Sequence, residues 1–385
     1  MTIYVITPLY PTDYNKYSGV FVKEQCLALK NIGYKVVVLY ANSVNYKEYL
    51  KGIFKPIMHI NDNGIDIIEL NCLAIKENLF PILNANLFFL AIKKVYKYAY
   101  KRLGRPDLIH AHFSLSAGYT AHIISKKYKI PYVVTEHYSL LLNDHINKEN
   151  IKILRRVVFG SWSFICVSKL LKNAVEKWIG QENKKIVVIS NMLNPLYTFN
   201  PPMKSTKFKF LSVGNLVKGK RMDFLIEAFC LAFSKKDKVE LNIIGDGTEK
   251  DKLLTLIKNE EREEQIFLLG SLPVSEVYKN NVNSNVFVLA SQYETFGIVY
   301  REALAVGRPI ISTKNGGIQE NWNKEYGYLI DIDDKIGFSN AMKQIYINYN
   351  KFDYNYISQQ CLKSFSSCII ADRLSELYGK IIKST

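Results

Sequence analysis

The sequence lacks any pair of cysteines at metal-site or redox-site spacing. Its six cysteines, at 26, 72, 166, 230, 361 and 368, are scattered and no C-x-x-C occurs. They read as buried free thiols in a reducing cytosol, and neither a zinc site nor a dithiol centre is written in them. No uninterrupted apolar run reaches about 18 residues, which argues against a spanning helix. Residues 1–6 run straight into a strand-like segment without a basic leader, so neither a signal peptide nor a transit peptide is expected. There is no internal repeat and no low-complexity tract. No G-x-G-x-x-G follows the first strand, which removes the usual support for an NAD site. Acidic residues are scarce in one half only: residues 1–200 hold 26 Lys and Arg against 13 Asp and Glu, whereas residues 201–385 hold 25 against 22. Of the net charge of +16, the first half therefore carries +13. That invites an anionic partner for this half, either nucleic acid or a membrane surface.

What is there is a repeated alternation of strand and helix. At 385 residues, with 48% apolar content, two soluble domains are the default. Strands are expected at 3–6, 35–40, 108–111, 132–135, 164–167 and 186–189, with a helix over about 20–31 ended by Gly33. Residues 194–207 hold three prolines and no periodicity, and read as a linker. A second alternating unit then opens with strands at 208–213, 240–244, 265–269 and 286–290. The pattern is that of α/β domains with parallel sheets, in which ligands bind beyond the carboxyl ends of the strands. The expected division is 1–198, 199–360 and a terminal helix over 361–385.

The most specific stretch is SQYETFGIVYREALAVGRPIISTKNGGIQE, from Ser291 to Glu320. A strand ends just before it, and helical spacing begins after Gly297, so Glu294 stands at the mouth of a strand-to-helix turn. Phe296, Gly297 and Ile298 are expected to form the first turn of a helix reaching about Ala305. Its leading N–H groups and positive dipole end make an anion seat, and Gly297 permits close approach to the backbone. Glu302 lies about one turn further on. Phosphate on the amides, with carboxylates beside it to accept from vicinal hydroxyls, suits a ligand that flanks phosphate with sugars.

Taken together, E-x-F-G, E-A-x-A-x-G-x-P, Gly316-Gly317 and Glu320 resemble the E-x7-E signature of the retaining glycosyltransferases of family 4. The resemblance implies the GT-B fold: two tandem Rossmann-like domains whose parallel sheets face a central cleft, with the last helix crossing back onto the first domain. It covers most of the second domain and parts of the first.

Further residues acquire roles from this resemblance. The turn Val213–Arg221 follows the first strand of the second domain, where similar enzymes use an Arg and a Lys to grip the donor diphosphate. Lys220 falls on the Lys position, but Asn215 occupies the Arg position, leaving Lys218 or Arg221 as substitutes. Gly245-Asp246-Gly247 resembles a family turn. His137, in V-V-T-E-H, falls where similar enzymes line the donor-sugar pocket, and Gly19, after Ser18, where the diphosphate and the acceptor meet. His110 and His112 share one side of a strand and are read as cleft structure, not as metal ligands. Asp331, Asp333 and Asp334 match D-x-D on paper but precede a helix, so capping is expected and no metal.

The reading is a retaining, metal-independent glycosyltransferase without a bound cofactor. It would move a sugar from a UDP- or GDP-linked nucleotide-sugar to a hydroxyl of a glycan or polyprenyl-linked acceptor in surface polysaccharide synthesis. His137 and Glu294 are the catalytic candidates; Gly19, Asn215, Lys220, Phe296, Gly297, Ile298 and Glu302 are the donor-binding ones. A sugar-nucleotide epimerase of the same fold is the alternative. A basic nucleic-acid-binding protein is a more distant one, since no reading helix or aromatic-basic strand motif is present. Residues 79–105 carry Lys93, Lys94, Lys97, Lys101, Arg102 and Arg105 behind an apolar stretch and read as a basic amphipathic helix. A cytoplasmic location, peripheral on the inner face of the cell membrane, is expected from it.

Overall fold

Val- and Ile-rich strands, the central ones buried on both faces, build two separate sheets. The computed structural model describes residues 1–12, 16–52, 56–75, 79–143, 145–203 and 205–384. Asp13–Asn15 of the loop ahead of Gly19 and Lys204 of the expected linker lie outside the described residues. The chain divides into a unit of Met1–Met192 with Ser367–Thr385 and a unit of Leu193–Ser366. The division thus falls ahead of the proline-rich segment, which is part of the second unit. Leu193 and Tyr197 are buried there, and Leu193 N–H donates to the Phe365 carbonyl at 2.8 Å.

Unit 1 holds strands β1 (Thr2–Thr7), β2 (Lys35–Val44), β3 (Met58–Asp62), β4 (Ile65–Leu73), β5 (Leu108–His112), β6 (Tyr132–Glu136), β7 (Ser163–Cys166) and β8 (Ile186–Val188). Their order is β3-β4-β2-β1-β5-β6-β7-β8. The pairs are parallel except β3 with β4, an antiparallel hairpin that the strand reading omits. Its turn is Asn63-Gly64, with φ of 52° and 76°. Asn-Gly is the dipeptide that tolerates two successive positive φ angles, so the signal was present in the sequence.

Unit 2 holds β9 (Phe208–Val213), β10 (Val239–Ile244), β11 (Ile266–Gly270), β12 (Val286–Leu289), β13 (Ile310–Thr313) and β14 (Gly327–Ile330), all parallel, in the order β11-β10-β9-β12-β13-β14. In each sheet the strand order reverses about the first strand, between β1 and β5 and between β9 and β12. Such switch points open a crevice at the carboxyl ends of the two strands.

The closing segment is two helices, Tyr354–Phe365 and Ser367–Lys383, parted at Ser366. Only the second belongs to unit 1, so residues 361–366 stay with unit 2. Ile370, Ala371, Leu374, Tyr378 and Ile381 join one buried cluster with Ile3, Val5, Val22 and Leu29. Cys26, Cys72, Cys166 and Cys361 are buried free thiols; Cys368 is exposed, because it lies on the outward side of the last helix.

Candidate functional site

The loops leaving β9 and β12 converge because the two strands are neighbours. Gln292 N–H donates to the Gly219 carbonyl at 2.9 Å, tying one loop to the other. This brings Lys220 Nζ to 2.5 Å from Glu294 Oε1, a half-buried ion pair formed across 74 residues of sequence. The Gly245–Gly247 turn braces the basic turn from behind: Leu216 N–H donates to the Asp246 carbonyl and Glu249 N–H to the Leu216 carbonyl, both at 2.9 Å.

The helix next to Glu294 starts where its spacing begins, after Gly297, so the expected first turn over Phe296, Gly297 and Ile298 is corrected. It spans Ile298–Ala305, and Gly297 is its cap, with φ 71° and ψ 60° in the left-handed region. A Cβ there would lie 2.6 Å from the Tyr300 ring, so both backbone and space require glycine. Phe296 accordingly lies ahead of the helix, buried against Phe365 at 5.5 Å. The first amides of the helix have no intrahelical partner and carry its positive end. Glu302 sits one turn in, half-buried, with the buried Tyr197 hydroxyl beside it. Burial, then the Glu302 charge, raises the Tyr197 pKa far above the usual phenol value.

Nothing in the sequence pattern marks Arg301 for burial, yet it is 1% exposed. Its guanidinium stacks 4.3 Å from the Phe296 ring centroid and donates to the Phe296 carbonyl at 2.5 Å. Burial lowers its pKa to about 10, and it stays charged near neutrality. A cation pinned behind the turn adds to the positive potential at the helix start.

Asn215 is exposed on the basic turn. Of its two possible substitutes, Arg221 is engaged: Nη2 lies 2.6 Å from Asp333 Oδ1, and the guanidinium rests 4.3 Å from the Phe224 centroid. Lys218 is exposed. The carboxylates of the D-x-D run are spread over separate tasks. Asp331 pairs with Lys314 at 2.5 Å, Asp333 with Arg221, and Asp334 caps helix Lys335–Ile347 by accepting from Gly337 N–H at 2.8 Å.

The other two predicted site residues lie in unit 1. Gly19 caps helix Val20–Asn31 at φ 69°, where a Cβ would come within 2.4 Å of the Leu9 carbonyl. His137 follows β6, its ring 4.5 Å from Phe21, 5.1 Å from Phe113 and 5.2 Å from His112. Burial, then the nearby His110, lowers its pKa to about 3. The neighbouring Glu136 is fully buried. Its carboxylate accepts from the N–H groups of Ser114, His137 and Tyr138 at 3.1, 2.8 and 2.9 Å, fixing the loop that carries His137. Burial raises its pKa against those bonds.

Helix Pro81–Leu103 turns Ala85, Phe88, Ala91, Ile92, Val95, Tyr96 and Ala99 inward. Leu83, Leu90, Lys94, Lys97 and Lys101 remain exposed. Arg105 donates to the Tyr128 and Lys129 carbonyls. Among the described residues, no helix is long and apolar enough to cross a membrane.

Two parallel-sheet units, one with a lysine–carboxylate pair and a helix amino end at its switch point, make the architecture of the GT-B fold. The chain belongs to the group 1/family 4 glycosyltransferases: residues 18–195 match the Glycosyltransferase Family 4 model and residues 196–359 the Glycosyl transferases group 1 model. It is 28% identical over 348 residues to a Bacillus subtilis protein named for teichuronic acid biosynthesis, covering 86% of this chain and 85% of that one. It is 36% identical over 140 residues to a Campylobacter jejuni N-acetylgalactosaminyltransferase named for a diphospho-undecaprenol acceptor, covering 36% of this chain and 37% of that one. The fold is similar to a sucrose-phosphate synthase from Thermosynechococcus elongatus, with TM-score 0.82 and 17% identity over 100% of both chains. It is also similar to an Anabaena protein solved with UDP-glucose, with TM-score 0.74 and 17% identity over 99% of this chain and 100% of that one.

Proposed function

We propose that this glycosyltransferase moves a sugar, with retention of configuration, from a nucleotide diphosphate donor to a hydroxyl of a glycan or lipid-linked glycan in surface polysaccharide synthesis. The observation that carries the proposal is the Lys220–Glu294 pair set beside the amino end of helix Ile298–Ala305, with Glu302 one turn along. A diphosphate suits the amides and Lys220, whose charge offsets what develops on the leaving group. Glu294 is then free to accept from sugar hydroxyls, and Glu302 from the ribose diol. UDP or GDP is the carrier we propose; the Anabaena neighbour's UDP-glucose favours UDP.

Glu294 and His137 are the catalytic residues we propose, with Gly19, Asn215, Phe296, Gly297 and Ile298 completing the donor-binding set. We take the reaction to run without a bound metal or other cofactor, because Asp331, Asp333 and Asp334 already serve Lys314, Arg221 and a helix cap. A lipid-linked acceptor and attachment to an anionic inner membrane surface are supported by Lys93, Lys94, Lys97 and Lys101 along one helix, none in an ion pair among the described residues, and by the Campylobacter relative's named acceptor.

Calorimetric titration with UDP, GDP and their sugar conjugates tests the donor. One nucleotide and its sugar conjugate should bind, and Glu302→Ala should weaken both. Turnover of a nucleotide-sugar without any acceptor would instead favour an epimerase. Cosedimentation with anionic vesicles, lost when the four lysines become Gln, tests the membrane part; equal recovery in the supernatant with and without anionic lipid would end it.

A further inference from the structure

Three histidine rings lie side by side in unit 1. His110 and His112 stack at 4.6 Å and 20°, and His112 and His137 at 5.2 Å and 15°. Tyr378 Oη is 2.6 Å from His110 Nδ1, Thr135 Oγ1 is 2.7 Å from His110 Nε2, and His112 Nδ1 is 3.0 Å from His137 Nε2. Burial holds all three rings neutral near pH 7. A neutral imidazole has one N–H and one lone pair. In the bond between His112 and His137 one ring must donate and the other accept, and that choice decides what the far nitrogen of His137 carries.

Gln25 makes the choice. Buried on helix Val20–Asn31, it places its amide nitrogen 3.3 Å from His112 Nε2 and 3.3 Å from His110 Nδ1. An amide nitrogen only donates. His112 Nε2 must then accept, so the proton of His112 is on Nδ1 and is given to His137 Nε2. His137 is left with its N–H on Nδ1. His110 has the Tyr378 hydroxyl as the nearer partner of its Nδ1, at 2.6 Å, and Thr135 at its Nε2, so the amide orders the protons of His112 and His137. His137 Nδ1 is buried and has no hydrogen-bond partner among the described residues. Phe21 and Phe113 hold the ring, so the direction of that N–H is fixed as well.

We propose that Gln25 is a positioning residue which, acting through His112, sets the tautomer of His137, so that the ring carries its proton on Nδ1 and not on Nε2. That His137 serves the sugar substrate rests on the sugar-transfer reading above; the tautomer does not.

The test is long-range 1H–15N correlation of the histidine rings in the full chain near neutral pH, without substrate. With six histidines in the sequence, assignment by single substitution is practical. The expected parent spectrum shows His137 protonated at Nδ1 alone. Gln25→Met keeps the bulk and removes the donor: His137 should become a tautomer mixture, with kcat lowered about two- to ten-fold as the competent fraction falls and the donor KM unchanged. Gln25→Glu, which offers acceptors to His112 Nε2, should protonate that nitrogen. His137 protonated at Nε2 in the parent, or Nδ1–H undiminished in a folded Gln25→Met, overturns the proposal. If the tautomers behave as expected but the parent transfers no sugar, the functional reading fails while the network stands.

Discussion

The candidate residues of the two units are built on opposite physical plans. In unit 2 they are ionisable side chains and partly exposed: Lys220 and Glu294 stand on loops and pair because β9 and β12 are adjacent, and Glu302 lies one turn into the helix that follows. In unit 1 they are neutral, buried and drawn from helix, strand and distant sequence, since His137 depends on His112, Gln25, His110 and Tyr378. All six histidines of the sequence lie in residues 1–192, and none lies in unit 2. On the proposed reading, one plan suits the grip of a charged ligand and the other fixes the place of a proton. The difference teaches that one chain can keep its electrostatic work and its proton placement in separately stabilised parts.

Acid should separate the two units most sharply. His110 and His137 have folded pKa values lowered to about 3, and His122 to about 4, so each binds its proton more readily once unfolded. Their contribution to stability is complete above about pH 6.5 and is lost as pH falls toward those folded values. At one pKa unit per roughly 1.4 kcal/mol, His110 alone forfeits on the order of 2 kcal/mol between pH 6.5 and 4.5. Glu136, whose pKa is raised, has the opposite sign: its contribution is complete below the unfolded carboxyl value and fades as pH rises. One carboxyl does not outweigh the histidines. Hydrogen exchange at pH 4.5 should therefore rise in β5 and β6 while β9 and β12 stay protected; equal loss in both sheets would break the contrast.

Lys220→Ala removes the cation of the charged plan and leaves Glu294 without its partner. A fall of about 10²–10³ in kcat is expected, the scale of losing one oriented group at a developing charge, and steady-state assays read it. A Lys220→Ala enzyme with parental kcat would mean that the diphosphate is held elsewhere. Glu302→Ala should weaken free nucleotide and nucleotide-sugar equally, by about 1.5–3 kcal/mol for a lost charge-assisted bond. Glu294→Ala should spare free nucleotide and injure transfer. Titration calorimetry separates the two variants, and parental nucleotide affinity in Glu302→Ala would remove that residue from the ribose.

The smallest effect is a gain. Asn215 is exposed, so Asn215→Arg has room to place a second cation on the turn, and donor affinity should tighten by up to about 1.4 kcal/mol, a factor of ten. Unchanged affinity would show that Lys220 and the helix amides suffice.

The parallel sheets and the turns that carry Lys220 and Glu294 were legible because each rests on short-range pattern. Apolar runs such as Val36–Leu39 and Val286–Leu289 announce strands, and E-x-F-G with Glu302 announces a strand-to-helix turn. Phe296 and Gly297 were counted into the first turn because nothing in the sequence gives the left-handed backbone angle that makes Gly297 a cap. Burial of Arg301 was invisible for a related reason: its position depends on Phe296 and Phe365, 69 residues apart. The order of protons through the histidines was least legible of all. His110, His112 and His137 could be picked out by motif, but nothing local connects them to Gln25 or to Tyr378, 268 residues beyond His110.

That last connection bears on how the protein is made. The cluster under β1 includes Ile370, Leu374, Tyr378 and Ile381, contributed from beyond the whole of unit 2. Domains ordinarily complete in the order in which they leave the ribosome. Here the earlier-synthesised unit must wait, its sheet uncovered along one helix-sized strip, while the later unit emerges and can close first. A nascent chain halted at residue 366 should hold a folded second unit and an unfinished first one.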